Sequence, residues 1–266
     1  MTVDSNIKLA SAIESLHSPT FSEEFDSFLS SLVYMDHAVT MAYYEDRQPI
    51  ILHKNYSDDL TEDSIVEYIH RAYLLDPVYS AHKNRIADGC YRLEELAPDR
   101  FKNTAYFDSY YKETGISDEI IYITYSQTGY SLVLSLFRLE NYDEKLTKKE
   151  FQILKGNEAL ILALMKQQWH NFSDPKMHLE KDKKDPLIER IKNAIEHSQQ
   201  ISMTSRQAEI IALTLRGHSA TSIGLLLDIS PDTVKVHRRN IYAKLRVSSQ
   251  TELFSMLVST LGPLSK

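Results

Sequence analysis

The sequence predicts an α+β chain in two parts. The N-terminal part reads as an α/β/α sandwich on an antiparallel sheet, the C-terminal part as an all-α module of four short helices. Three observations carry this. Strand-like runs come in adjacent pairs and do not alternate with helices, which favours antiparallel pairing over a doubly wound sheet. From residue 203 onward the apolar residues recur at helical spacing, in short pieces punctuated by caps and glycine. Charge is also split: the 266 residues carry a net −7, yet residues 186–266 hold ten Lys and Arg against six Asp and Glu. That leaves about +4 on the C-terminal part and about −11 on the rest, an asymmetry that assigns a polyanion to the basic part. The expected boundaries are 1–170 for a sensory domain, 171–186 for a linker bracketed by Pro175 and Pro186, and 187–266 for the helical module.

Taken in order, Leu9, Ile13 and Leu16 open the chain as apolar positions, and Phe21–Val33 follows as a helix with Phe21, Phe25, Phe28, Leu29 and Leu32 on its buried stripe. Residues 37–45 and 49–53 read as a hairpin. A helix over 62–73, through Ile65, Ile69 and Ala72, is broken near Asp76-Pro77, because a residue before proline avoids the helical region. Residues 80–103 carry no regular pattern. Residues 104–114 suggest a short helix stopped at Gly115. Two strands, 119–126 and 130–139, enclose a turn at Gly129, and 147–169 reads as one long amphipathic helix with a Thr147/Glu150 capping box.

Tyrosine is abundant, with 16 in the chain. Many fall between the first strand and the third, among them Tyr43, Tyr56, Tyr68, Tyr106 and Tyr110. A ligand pocket wants apolar walls with a few polar tips, and tyrosine supplies both; core packing with hydroxyls at the edge is the plain alternative. Asn55-Tyr56, then Tyr68, Tyr73 and Asp76-Pro-Val, is similar to the autoinducer-binding domains of quorum-sensing LuxR-type regulators. The resemblance implies Tyr56, Tyr68 and Asp76 as ligand contacts, although Ser64 stands where that family has tryptophan and the only tryptophan is Trp169. Residues 91–119 look like the sensory half of unpaired LuxR-type regulators that do not use lactones. The effector stays open between a lactone and an amine, for which Asp76, Asp108, Asp118 and Glu119 among the tyrosines would be suited.

Beyond the linker, Leu187–His197 reads as a helix with Leu187, Ile188, Ile191 and Ile195 on one side. Thr204 with Gln207 forms a second capping box, Gly217 ends that helix, and Ser219 or Thr221 caps the next, which carries Ile223, Leu226 and Leu227. Asp228-Ile229 is the turn. Ser230 is an N-cap, Pro231 suits the first helical position, and helix 231–245 buries Val234, Ile241 and Leu245 while leaving Lys235, Arg238, Arg239 and Lys244 outside. Residues 248–261 complete the set with Leu253, Met256, Leu257 and Leu261. A solvated basic helix would share that charge, but a capped basic helix after a tight turn also fits a major groove.

Residues 203–261 resemble the LuxR/FixJ-type helix-turn-helix module, on Thr204, Arg206, Glu209, Gly217, Ile223, Ser230, Thr233-Val-Lys-Val-His237, Ile241, Lys244-Leu245 and Val247-Ser248. Asp228 stands where that family has glycine, and Gly224 where it has alanine. The resemblance implies that Lys235, Val236 and Arg239 approach base edges. It places Thr233, His237 and Arg238 near the DNA backbone, with Arg206 and Lys244 on outlying phosphates. It further implies a homodimer through Leu253, Met256 and Leu257, with RNA polymerase as a partner.

Other classes fare worse. The single Cys90 rules out an internal disulfide and fits a reducing compartment. No histidine spacing suits a metal, no nucleophile sits in an activating motif, and seven glycines form no phosphate loop, so neither cofactor nor catalytic residue is expected. No apolar run is long enough to cross a bilayer and no signal peptide opens the chain, so the expected location is the cytoplasm. The expected function is a ligand-responsive transcription regulator reading promoter DNA. An acyl-homoserine-lactone receptor proper and a phosphorylation-controlled response regulator are the alternatives.

Overall fold

The computed structural model describes residues 2–45, 47–56, 65–66, 68–70, 72–126, 129–139, 145–170, 172 and 185–258. Most of the expected linker, the start of the helix expected at 62–73 and the end of the last helix lie outside the described residues. The chain forms two compact units, Met1–Glu62 with Ala81–Glu95 and Gly115–Glu180, and Asp63–Ser80 with Leu96–Thr114 and Lys181–Lys266. Each is taken by itself.

The first unit is built on one antiparallel five-stranded sheet in the order β2-β1-β5-β4-β3. Its strands are β1 (His37–Tyr43), β2 (Ile50–Lys54), β3 (Gly89–Arg92), β4 (Ile116–Tyr125) and β5 (Ser131–Leu139). The long β4–β5 hairpin pairs Ile120 with Leu136 and Ile123 with Val133, and β1 lies beside β5 with Thr40 opposite Leu134. A bulge between Thr40 and Met41 shifts the register with β2. Alternation puts Ala38, Ala42, Ile120, Tyr122, Leu132, Leu134 and Leu136 on one face. There they meet the apolar stripes of α1 (Val3–Glu14), α2 (Phe21–Leu32), α5 (Lys148–Gly156) and α6 (Glu158–Trp169) in a single core. Phe21, Phe25 and Phe28 are completely buried in it, each worth roughly 1.5–3 kcal/mol relative to exposure.

Two expectations are corrected here. The stretch 80–103, read as irregular, contains the edge strand β3, whose four residues are too few to show a period. It also contains most of α3 (Pro77–Lys83) and a turn of helix, α4 (Leu93–Leu96). The single helix expected at 147–169 is two, because Asn157 leaves the helical region at φ −102°, ψ 7° after Gly156. The Thr147/Glu150 capping box is present as expected.

The second unit is helical: α7 (Pro186–Gln199), α8 (Ser205–Leu215), α9 (Ala220–Leu227), α10 (Pro231–Leu245) and α11 (Gln250–Val258). Its core joins Leu187, Ile191 and Ile195 of α7 to Ile210, Ile211 and Leu215 of α8, Ile223 of α9, and Val234, Ile241 and Leu245 of α10. Two earlier stretches belong to the same unit: a 3₁₀ turn at Ala72–Leu75, and a segment with a 3₁₀ turn at Phe101–Asn103 and a π-helical turn at Phe107–Lys112. The last of these is the short helix expected at 104–114, in a wider winding.

Candidate functional site

Helix α10 is held by its buried stripe and positioned by its cap. Ser230 Oγ accepts the Thr233 N–H at 3.0 Å, Pro231 stands at the first turn, and Asp232 lies where the helix dipole favours an acid. The turn before it requires two unusual residues. Asp228 sits in the left-handed region at φ 52°, ψ 49°, which aspartate tolerates better than most side chains. Gly224 lets α9 approach that turn, because a Cβ there would lie 2.7 Å from the Ile229 carbonyl oxygen.

With the stripe buried, the opposite side of α10 presents Thr233, Lys235, Val236 and Arg239, all exposed, while His237 and Arg238 are half-buried on its flanks. Lys235 pairs with Asp232 at 2.9 Å, and the Arg238 guanidinium lies 5.8 Å from the Tyr242 ring. Arg206 and Lys244 are exposed, but both also bind the module itself. Arg206 reaches Glu209 at 3.1 Å and the Leu227 carbonyl at 3.3 Å, and Lys244 reaches the Ser202 carbonyl at 2.8 Å.

Two expectations about the module's surface change. Leu226, read as part of α9's apolar stripe, is 58 % exposed, and its neighbour Leu225 is 82 % exposed; Ile223 and Gly224 are the buried pair. Of the candidate dimer contacts, Leu253 and Leu257 are buried by the chain itself, and Met256 alone is partly exposed.

The candidate effector residues divide between the two units. Tyr68, Asp76, Tyr106 and Tyr110 come together in the helical one. Asp76 is buried and its carboxylate is well supplied: Val78 N–H donates at 2.7 Å, the Tyr106 hydroxyl at 3.2 Å, and Tyr68 adds a third bond. Burial outweighs these donors and pushes its pKa up to about 6. The Tyr106 and Tyr110 rings stack at 5.6 Å, and Tyr68 lies 5.4 Å from Tyr110. Tyr43 and Tyr56 are buried in the sheet unit, Tyr43 at 6.1 Å from the His82 ring and Tyr56 at 5.8 Å from His37. The acidic set proposed for an amine is divided between the two units. Asp108 is exposed and bonded to Lys112, Asp118 is paired with Arg92 at 3.5 Å, and Glu119 is on β4 of the sheet unit.

The sequence reading missed Arg216. It follows α8, is nearly buried, and binds Asp185 through both terminal nitrogens at 2.6 and 3.2 Å and the Leu74 carbonyl through Nε at 3.1 Å. Its neighbour Gly217, at φ +95°, also touches the earlier segments: a Cβ there would lie 2.7 Å from Phe101 Cα. The Arg100 N–H donates to the Gly217 carbonyl at 2.9 Å, and the Ser219 N–H to Asp99 Oδ1 at 3.0 Å. Nothing local in the sequence points to partners more than a hundred residues away. Among the described residues, no group of His, Cys, Asp and Glu is placed to hold a metal, and no helix is long and apolar enough to cross a membrane.

Comparison with known proteins agrees with this geometry. Residues 201–257 match the family model described as bacterial regulatory proteins, luxR family. An HTH-type transcriptional regulator in the exeN 3′ region of Aeromonas salmonicida is 30 % identical over 190 residues, 70 % of this chain and 94 % of that protein. The response regulator TodT of Pseudomonas putida is 44 % identical over 52 residues, only 20 % of this chain and 23 % of its own length. The likeness to a response regulator thus covers a segment the length of the helix-turn-helix module, and the antiparallel sheet is not the parallel one that a phosphorylated receiver needs. Among solved structures, the VqsR LBD domain from Pseudomonas aeruginosa covers 63 % of this chain and 98 % of its own at a TM-score of 0.55 and 24 % identity, which is a likeness of fold. On the helix-turn-helix model and a relative matched along nearly its whole length, the chain belongs to the luxR family of bacterial regulatory proteins.

Proposed function

We propose that this regulator reads double-stranded promoter DNA with α10 and answers to a small molecule bound at Asp76. The observation that carries the reading is the outward face of α10. Lys235, Val236 and Arg239 stand together on a capped helix whose other side is buried. Arg239 and Lys235 can donate to guanine edges, and Val236 can meet a thymine methyl. Thr233, His237, Arg238, Arg206 and Lys244 serve the phosphates, which supply affinity without sequence information. Such sites work as symmetric pairs, so the regulator acts as a homodimer, with Met256 on the partly exposed side of α11 as the dimer contact left at the surface. RNA polymerase is the partner downstream, the cytoplasm is the place of action, and binding, not turnover, is the activity.

For the effector, the support is a buried carboxylate ringed by tyrosine. An ionised carboxylate accepts about four hydrogen bonds, and Val78, Tyr68 and Tyr106 supply three. A ligand N–H is the natural fourth, whether it comes from the amide of an acyl lactone or from an amine. Tyr110, stacked on Tyr106 and beside Tyr68, completes the aromatic set of this unit. The acid bonded to Tyr68 and Tyr106 is Asp76, and a neutral amide matches that carboxylate better than a polyamine does.

The test is titration of the full-length protein with promoter fragments at several salt concentrations, with and without candidate ligands, alongside native mass spectrometry of the protein as purified. Specific binding with a steep salt slope, shifted by a ligand that Asp76→Asn no longer binds, is the expected result. A protein that prefers no DNA sequence, or whose ligand binds the Asn variant equally well, would refute it.

A further inference from the structure

The contacts around Asp76 and those around Arg216 form one closed ring. Tyr106 donates to Asp76 Oδ2 at 3.2 Å. The Tyr106 ring lies 6.0 Å from the Phe101 ring, and the Phe101 backbone lies against Gly217 with no room for a side chain between them. The preceding Arg100 N–H bonds the Gly217 carbonyl at 2.9 Å. Beside Gly217, Arg216 Nε bonds the Leu74 carbonyl at 3.1 Å. Leu74 is two residues from Asp76, whose own N–H is bonded to Tyr73. Asp99 ties the ring to α9 by accepting the N–H of Ser219, the residue that caps it.

We infer that this ring is a clasp, by which the occupancy of Asp76 sets how firmly the 72–78 and 99–106 segments grip the α8–α9 turn of the DNA-reading module. An effector N–H that joins Asp76 as its fourth donor shares the carboxylate with Tyr106 and weakens that bond. A shift of Tyr106 then reaches Phe101, whose ring also packs on Phe107 and Tyr111 at 5.5 Å, while Arg216 retains Leu74. Lys235, Val236 and Arg239 are exposed with the clasp closed, so it does not mask the DNA-facing side chains. It limits instead how freely α8 and α9 move. Because coupling is reciprocal, loosening the grip from the Arg216 side must also loosen Asp76. The direction of the effector's action rests on the reading of Asp76 as its site; the clasp itself does not.

Hydrogen exchange in the full-length protein tests it without any ligand, so failure of the clasp is distinguishable from failure of the effector reading. The reporters are the amides that cross the clasp, Arg100 and Ser219, and the amide that donates to Asp76, Val78. Tyr106→Phe should raise exchange at Arg100 and Ser219 at least tenfold with α10 amides unchanged. Arg216→Gln should raise exchange at Val78. Unchanged reporters in either variant, or a uniform rise that includes α10, would overturn the clasp. Should Tyr106→Phe unfold the unit, the exposed Asp99→Ala decides: faster exchange at Arg100 and Val78 upholds the clasp, and wild-type rates overturn it.

Discussion

Asp185 and Arg216 meet in a two-pronged ion pair, at 2.6 and 3.2 Å, and the same Asp185 caps α7 by accepting the Leu187 N–H at 3.0 Å. The aspartate thus serves a helix start and a nearly buried guanidinium together. Asp185→Asn should keep the cap and lose the charge pair; Asp185→Ala should lose both. The alanine variant is expected to cost about 3 kcal/mol and the asparagine variant about 1 kcal/mol less, read from urea midpoints. Equal losses would mean that the cap contributes nothing.

On DNA, Arg239→Ala should weaken specific binding by about 1–3 kcal/mol and relax sequence preference. Lys244→Ala should weaken specific and random DNA alike and lower the salt slope by about one. Fluorescence anisotropy on both kinds of duplex separates them. Loss of sequence preference with Lys244→Ala would reverse their roles.

Gly224→Ala sets two effects against each other. Alanine gains about 1 kcal/mol of helix propensity over glycine. Its methyl, however, would stand 2.7 Å from the Ile229 carbonyl oxygen, and backbone there must move, at about 1–3 kcal/mol. The clash should win, lowering the melting temperature of the helical unit and its DNA affinity with it. A more stable alanine variant would show that the turn yields easily.

Two buried groups titrate with opposite sign. Burial pushes Asp76 up to about 6, so its protonation adds stability below the ordinary aspartate value near 3.8, and that stability is lost as pH rises through about 6. Burial, with Lys83 and Arg85 nearby, holds His82 down at about 4. Its contribution is complete above the ordinary histidine value of 6.5 and is lost as pH falls toward 4. Each is on the order of 3 kcal/mol over its window, and the slopes oppose each other between pH 4 and 6. Asp76→Asn should therefore make stability fall more steeply on acidification from pH 7 to 5. His82→Gln, which keeps a partner for Ser131 Oγ at the place of the 2.7 Å bond, should do the reverse. Urea midpoints at the two pH values give the answer, and parallel profiles would contradict it.

Cys90 should be chemically silent in the native protein. It is buried on β3, and burial pushes its thiol up to about 12. A thiol reagent should modify it only at the rate of unfolding; rapid labelling in buffer would show that β3 opens on its own.

These results show which parts of the molecule local chemistry announces. The recognition helix was legible because its signals are neighbours: Ser230 with Thr233, Pro231, Asp228 in a left-handed turn, and a stripe at Val234, Ile241 and Leu245. The long hairpin was legible from two apolar runs around Gly129. What escaped was either too short or too distant. Four residues of β3 carry no period. One asparagine, Asn157, splits an otherwise continuous helical pattern without proline. Tyr68, Asp76 and Tyr106 were picked out by residue type and resemblance, but not that both tyrosines, with the Val78 N–H, bond Asp76 itself. Arg216 reads as an ordinary basic residue until Leu74, 142 positions earlier, is placed beside it.

That separation has a consequence for synthesis. Residues 72–114 leave the ribosome well before the helices they pack with, so Leu74, Asp99 and Arg100 spend that interval without Arg216, Ser219 and Gly217. At about 5–20 residues per second, the 142-residue gap corresponds to roughly 7–28 s of translation. During it, the carbonyl of Leu74 must be solvated or held by something else. A nascent chain stalled before residue 216 would expose this surface to proteases and chaperones, and one released after it would close it. The regulator's yield in the cell should then depend on translation speed across α8, well downstream of the residues being protected.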